Sequence, residues 1–294
     1  MQDQFDVAAG SVIGRDHVGR GNLLTGRNNQ DAYYFGGKDV LVGLVCDGCS
    51  QGFHSEVGAN IGAYLIGCIL ESTIATSLLQ VQIAHSKKDA IDGYFTLIRS
   101  QVLDQIDAVA KSMFSLQGPK TFSEVVGDYF LFTTVGFLAT PDVTIIFSIG
   151  DGVYCLNGEI SRIGPYPNNQ PPYLAYGLLS TRMDPQLLQF ACQAVIPTSE
   201  VQSILIGTDG VDDLIEAEHK KIPGKSEPVG PISQFWLEGR FFRPDQIRRR
   251  LALINSEVTC VGEQGALIRQ PGLLRDDTTL VVARRKPFSA GKQV

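Results

Sequence analysis

Three apolar, β-prone runs in this chain stop at the same kind of sequence. Leu41-Val42 and Leu44-Val45 lead into Asp47-Gly48, Val143 to Ile149 runs into Gly150-Asp151-Gly152, and Ser203 to Thr208 ends at Asp209-Gly210. A fourth β-prone run begins just after Asp276. One Asp-Gly marks a turn and nothing more. Turn chemistry, however, does not ask for acid at the same end of every strand. If these strands are neighbours, four carboxylates converge on one rim, and such crowding is unfavourable unless cations neutralise it. A strand-end carboxylate beside a glycine can also bring a backbone carbonyl to the same cation.

Composition narrows the setting. A chain of 294 residues can bury a sizeable core. The net charge is -6 and no basic cluster exceeds Arg248-Arg249-Arg250, which argues against nucleic acid as the main partner. No apolar stretch reaches the roughly 18 residues of a membrane span. The opening MQDQFDVAAG lacks the basic start and apolar run of a signal peptide. The six cysteines are scattered, with Cys68, Cys155 and Cys192 in apolar runs, the pattern of reduced core thiols in a cytoplasmic protein.

Along the chain, residues 5–14 start as a strand, and Arg27-Asn28-Asn29-Gln30-Asp31-Ala32 leads into β-prone Tyr33-Tyr34-Phe35. Gly36-Gly37-Lys38-Asp39 is a hairpin-like turn, which places Asp31 and Asp47 on adjacent antiparallel strands. A one-sided stripe from Val57 through Ile61, Leu65 and Cys68-Ile69 predicts a helix. After a linker over Gln80 to His85, Ser86 with Asp89 three residues on resembles an N-cap. The stripe Ile91, Phe95, Ile98, Val102, Ile106, Val109, Met113 then steps by three or four and predicts a second helix with one buried face. Gln117 to Asp128 reads as a loop, residues 132–156 as strands, 164–173 as a proline-rich surface loop and 216–240 as a polar surface excursion. Pro244 to Ile254 reads as a helix with proline in its first turn, and the tail from Lys286 as frayed.

The order Asn29-Gln30-Asp31-Ala32, Val45-Cys46-Asp47-Gly48, Thr133-Thr134, Gly150-Asp151-Gly152, Thr208-Asp209-Gly210 through Asp213, and Asp276-Asp277-Thr278-Thr279 resembles the metal-dependent protein Ser/Thr phosphatases of type 2C, in their bacterial-type branch. The motifs run from about residue 10 to 285, nearly the whole chain. The resemblance implies an α+β fold, a four-layer αββα sandwich of two antiparallel β-sheets flanked by helices, in a single domain over 1–294 with its core at about 8–286. It implies that Asp47 bridges two ions and that the Gly48 carbonyl binds one of them. Asp209 and Asp276 would complete the first ion's shell, and Asp31 would hold the second ion directly or through water. Asp151 and Asp213 match positions that bind a third, weaker ion in many members. All-oxygen ligands select Mg²⁺ or Mn²⁺.

The chemistry implied is phosphoserine and phosphothreonine hydrolysis by a water shared between two cations, with no phosphoenzyme. Arg27 is the candidate phosphate clamp, with Arg15 as reserve. Some members carry a histidine general acid right after the bridging Asp-Gly; Cys49 stands there, so His54 or a metal-bound water would protonate the leaving alkoxide. The partners implied are a phosphorylated protein substrate and a cognate Ser/Thr kinase, the enzyme itself being a monomer. Two rivals remain. One is a non-catalytic phosphoprotein-binding module on the same fold. The other is a dithiol redox protein built on Cys46-Asp47-Gly48-Cys49, which leaves Asp151, Asp209 and Asp276 unexplained.

Overall fold

The computed structural model describes residues 1–18, 28–74, 88–116, 118, 120–261 and 266–287. Arg27, the Gln80 to His85 linker, the Ser86 cap and the tail from residue 288 lie outside the described residues.

Two five-stranded sheets carry the architecture. One holds β1 (Phe5–Val12), β12 (Thr278–Arg285), β9 (Ser203–Gly207), β6 (Gly152–Leu156) and β7 (Glu159–Ile163), in that spatial order. The other holds β2 (Asp31–Gly36), β3 (Leu41–Gly48), β4 (Phe132–Ala139), β5 (Val143–Ile149) and β8 (Ala191–Pro197). All neighbours within each sheet are antiparallel. A small hairpin, β10 (Val258–Val261) with β11 (Leu267–Gln270), stands apart.

Alternation along the strands explains the layers. Leu41, Val45, Val135, Phe137 and Ile146 share one buried cluster with Ile204, Ile206, Val281 and Ala283, so the two sheets meet face to face. The residues between them in sequence point the other way. Val42, Leu44 and Cys46 pack with Ala59, Ala63, Ile66 and Leu70 of helix α1 (Ser55–Ile74) and with the stripe of helix α2 (Lys88–Leu116). Leu205, Leu280 and Val282 pack with residues of the short helices α4 (Val211–Glu216), α5 (Gln234–Leu237) and α6 (Gln246–Ile254). Both faces of the central strands are therefore dry. That is why the central strands read as continuous apolar runs rather than in strict alternation. The result is the four-layer helix–sheet–sheet–helix sandwich.

Three local expectations change. Within 117–128, a helix α3 runs over Phe122–Tyr129, opened by a capping box in which Thr121 and Glu124 satisfy each other's backbone N–H groups. At eight residues it is too short to show a periodic stripe. The 216–240 stretch is not a surface excursion, because Ile222, Val229, Phe235 and Trp236 are buried in the outer core. Prolines and glycines break its apolar residues into single turns, which hides them from any period search. Helix α6 begins at Gln246 rather than Pro244, after Asp245 in the left-handed region (φ 62°).

Two helical glycines make opposite demands. A Cβ on Gly58 of α1 would overlap the Tyr129 carbonyl oxygen at the end of α3, whereas one on Gly93 of α2 meets nothing within 4 Å. Gly93→Ala is expected to raise unfolding stability by about 0.5–1 kcal/mol through helix propensity. Gly58→Ala is expected to lower it by about 1–3 kcal/mol through overpacking. Urea unfolding midpoints of the two variants, measured side by side, check both signs.

Candidate metal centre

Antiparallel pairing decides where the acids land. Asp31, opening β2, stands opposite Asp47 near the end of β3, and Asp47 stands opposite Thr133 of β4. Asp151 occupies the corner where the chain leaves β5 in one sheet for β6 in the other. Its neighbours Gly150 and Gly152 have φ of 88° and 142°, which glycine alone adopts readily. In the second sheet β9 stops at Gly207, so Asp209 lies past its end; Asp276 lies just before β12, whose Leu280 pairs with Gly207. Asp47, Gly48, Asp151, Asp209 and Asp276 thus line one cleft of about 240 Å³, together with His17, Gln30, Cys49, Thr133 and Tyr173. An adjoining cleft of about 500 Å³ shares Asp151, Asp209 and Asp276 and adds Arg162, Asp212, Asp213 and Arg275.

The carboxylates strain against this arrangement. Burial, then the charges of Asp31, Asp209, Asp276 and Asp151, hold the Asp47 carboxyl well above its ordinary range. Burial and then the Asp277 charge do the same to Asp31, although the Thr208 and Thr279 hydroxyls pull it partly back. Asp209 is pushed up to about 7, by burial first and by Asp276 and Asp151 next. Burial also raises Asp151 and Asp276.

Asp31 tests whether the site fits a cation. Its Oδ2 accepts the Thr208 hydroxyl at 2.8 Å, but its Oδ1 is buried with no hydrogen-bond partner. Leaving a buried carboxylate oxygen bare costs about 1–3 kcal/mol or more. A divalent cation answers both problems, since it neutralises the crowd and gives bare oxygens a partner. The donor set of carboxylates with a backbone carbonyl fits a hard ion such as Mg²⁺ or Mn²⁺. Backbone approach at Gly48 is close: a Cβ there would sit 2.8 Å from the Gln30 carbonyl oxygen and 2.8 Å from Ser55 Oγ.

The remaining candidates divide. Asp213 lines the wider cleft with Asp151, but its oxygens are engaged. Arg275 Nε and Nη2 donate to Oδ1 at 2.8 and 2.6 Å, and the Arg275 amide donates to Oδ2 at 2.6 Å. His54 lines neither cleft; its Nδ1 is 3.4 Å from Glu56 Oε1 and its ring lies against Tyr129. Arg15 donates through Nη1 to the Gly272 carbonyl at 2.8 Å, and Arg27 is outside the described residues. Cys46 is buried, which pushes its thiol up to about 12, and both it and Cys49 are free.

Two residues at the site were not singled out from the sequence. Asp277, only 2 % exposed, accepts the amides of Gly14 at 2.7 Å and Gln30 at 2.6 Å, and so ties the stretch after β1 to the acidic rim. His17 stands beside it, with Nδ1 3.0 Å from Asp277 Oδ1. Doubling of the acid at 276–277 was the one available signal, but partners so distant in sequence leave no local trace.

Residues 18–236 match the model of the Protein phosphatase 2C family. No curated protein sequence matches the chain. Among solved structures, a bacterial serine phosphatase superposes with a TM-score of 0.52 at 12% identity, covering 97% of this chain and 100% of that one. The serine/threonine phosphatase Stp1 from Staphylococcus aureus superposes with a TM-score of 0.50 at 13% identity, covering 96% of each chain. At such identities the likeness concerns the fold.

Linkage gives the site a pH signature. A carboxyl raised in the folded state contributes stability below its unfolded value, 3.8 for Asp209, and that contribution is lost as pH rises through the folded value of about 7. Metal-free protein is therefore expected to melt at a lower temperature at pH 8 than at pH 5, with Mn²⁺ restoring more stability at pH 8. Asp209→Asn should flatten the metal-free pH dependence. Scanning calorimetry in chelator and in Mn²⁺ reads all three, and an unchanged slope in Asp209→Asn would contradict the assignment.

Proposed function

The chain belongs to the protein phosphatase 2C family, whose members are metal-dependent phosphoprotein phosphatases. From that premise we propose that its acidic cleft removes phosphate from phosphoserine and phosphothreonine using Mg²⁺ or Mn²⁺. The observation that carries this reading is the meeting of Asp47, Asp151, Asp209 and Asp276, from two sheets, in one cleft beside the unpartnered Asp31 Oδ1.

Asp47 and the Gly48 carbonyl, with Asp209 and Asp276, would hold one ion, and Asp47 with Asp31 the other. When bound, such ions supply Lewis acidity that activates water and offsets charge on the phosphoryl oxygens. The protein's own groups do the rest. Two rigid sheets keep the carboxylates at fixed separation, so little reorganisation accompanies the reaction. Arg27 is the proposed clamp on the phosphoryl oxygens, for which a planar guanidinium is suited, with Arg15 in reserve. His54 faces Glu56 and Tyr129, so solvent in the cleft is the better source of the proton for the leaving serine or threonine oxygen. A third ion between Asp151 and Asp213 would have to displace Arg275.

Retention of all the strand-end acids speaks against a module that only binds phosphoproteins. The buried Cys46 thiol, raised to about 12, speaks against dithiol exchange. We place the protein as a monomer opposing a cognate Ser/Thr kinase, without nucleic acid. No helix among the described residues is long and apolar enough to cross a membrane. Six free cysteines support a reducing, cytoplasmic setting.

Asp209→Asn and Asp276→Asn are each expected to lower Mn²⁺-dependent hydrolysis of a phosphopeptide about a hundredfold or more, roughly 2.7 kcal/mol in the barrier. Cys46→Ala combined with Cys49→Ser should keep most of the activity. Steady-state assays on folded variants check both, and near-normal rates in either aspartate variant would sink the reading. Arg275→Ala should free Asp213 and add a weak Mn²⁺ equivalent in calorimetric titration; unchanged stoichiometry would remove Asp213 from the ligand set.

A further inference from the structure

His17 brings nitrogen to a cleft that otherwise offers oxygen. Its ring is 15% exposed and lines the same cleft as Asp47, Asp151, Asp209 and Asp276. Asp277 holds it from behind: Nδ1 is 3.0 Å from Asp277 Oδ1, and that carboxylate is anchored in turn by the Gly14 and Gln30 amides. A carboxylate at that distance favours the tautomer with its proton on Nδ1, which leaves the ring's electron pair on Nε2. Nε2 is 3.6 Å from Oδ1 of Asp276, which lines the cleft. A histidine backed by a carboxylate and presenting its other nitrogen is the usual arrangement of a metal-bound imidazole.

The distances suit one ion. The donor atoms of His17, Asp276 and Asp277 all lie within 4.8 Å of one another. Two donors about 2.1 Å from an octahedral ion stand about 3.0 Å apart when adjacent. Asp276 can close the remaining gap, because its side chain is 53% exposed and its Oδ1 accepts only the Asp277 amide among the described hydrogen bonds. Asp277 cannot itself turn to the ion without abandoning two backbone donors.

We infer that His17 Nε2 is a direct ligand of the ion that Asp276 holds, with Asp277 as its positioning residue. This rests on the metal-centre reading above. Imidazole suits transition metals better than Mg²⁺, so the mixed shell favours Mn²⁺ at this position. The competing arrangement is a doubly protonated His17 bridging Asp276 and Asp277 as a salt bridge, with no part in metal binding.

The test is pulsed electron paramagnetic resonance on the full chain, titrated with Mn²⁺ to saturation, with and without ¹⁵N-histidine. A histidine nitrogen coupling is expected that changes with the label and disappears in His17→Gln. Calorimetry of the same variant should show Mn²⁺ binding weakened about tenfold or more, and Mg²⁺ binding by about threefold or less. Bound Mn²⁺ without a histidine nitrogen, a coupling that survives in His17→Gln, or equal losses for both ions would overturn the inference. The wild-type spectrum decides even if the variant does not fold. A wild-type chain that binds no Mn²⁺ at all would instead overturn the metal centre and the proposed function together.

Discussion

Like charge held away from water at one rim is the constraint on which the rest of the structure depends. Asp31, Asp47, Asp151, Asp209 and Asp276 come from both sheets; burial raises the proton affinity of each, and neighbouring carboxylates add to it at Asp31, Asp47 and Asp209. Repulsion at that end tends to part the sheets. The apolar layer between them, with Leu41, Val45 and Phe137 facing Ile204, Ile206 and Val281, opposes it. Buried apolar surface contributes about 25 cal/mol per Å², so the dry interior carries the acid edge. Stability and chemistry are thereby separated in space: one end of the sandwich is strained for the benefit of a cation, and the layer between the sheets is packed with apolar side chains.

Much of this was legible in the chain. Strand-end acids stood out because each borders an apolar run, three closing one and Asp276 preceding one, and the pairing of Asp31 with Asp47 followed from a hairpin only a few residues long. The second helix was legible because its stripe from Ile91 to Met113 keeps a strict step. What escaped did so for physical reasons. Helix α3 is held by the Thr121–Glu124 cap and by packing of Val125 and Val126, not by a repeating face. The burial of Phe235 and Trp236 depends on turns whose geometry proline and glycine set residue by residue.

At the site the division is similar. Carboxylates announce themselves by position, but their counter-charges do not. Arg275 holds Asp213 at 2.6 Å and Arg162 holds Asp212 at 2.7 Å, each across an interval no local pattern encodes. Nothing local in the sequence marks His17. Only the tertiary approach of Asp277, 3.0 Å from Nδ1, distinguishes it from an ordinary loop histidine.

The pairing of β1 with β12 has a consequence for how this protein comes into being. Phe5 lies against Arg285, and Gln30 depends on a carboxylate 247 residues further along. A ribosome delivers residues from the amino end, so β1 waits with an unpaired edge until residues 278–285 have been made. Contacts at such separation close slowly, and exposed edges in the interval invite association with other chains. The same delay is protective: Asp276 arrives only with β12, so a nascent chain cannot assemble the acid rim before that strand has been made.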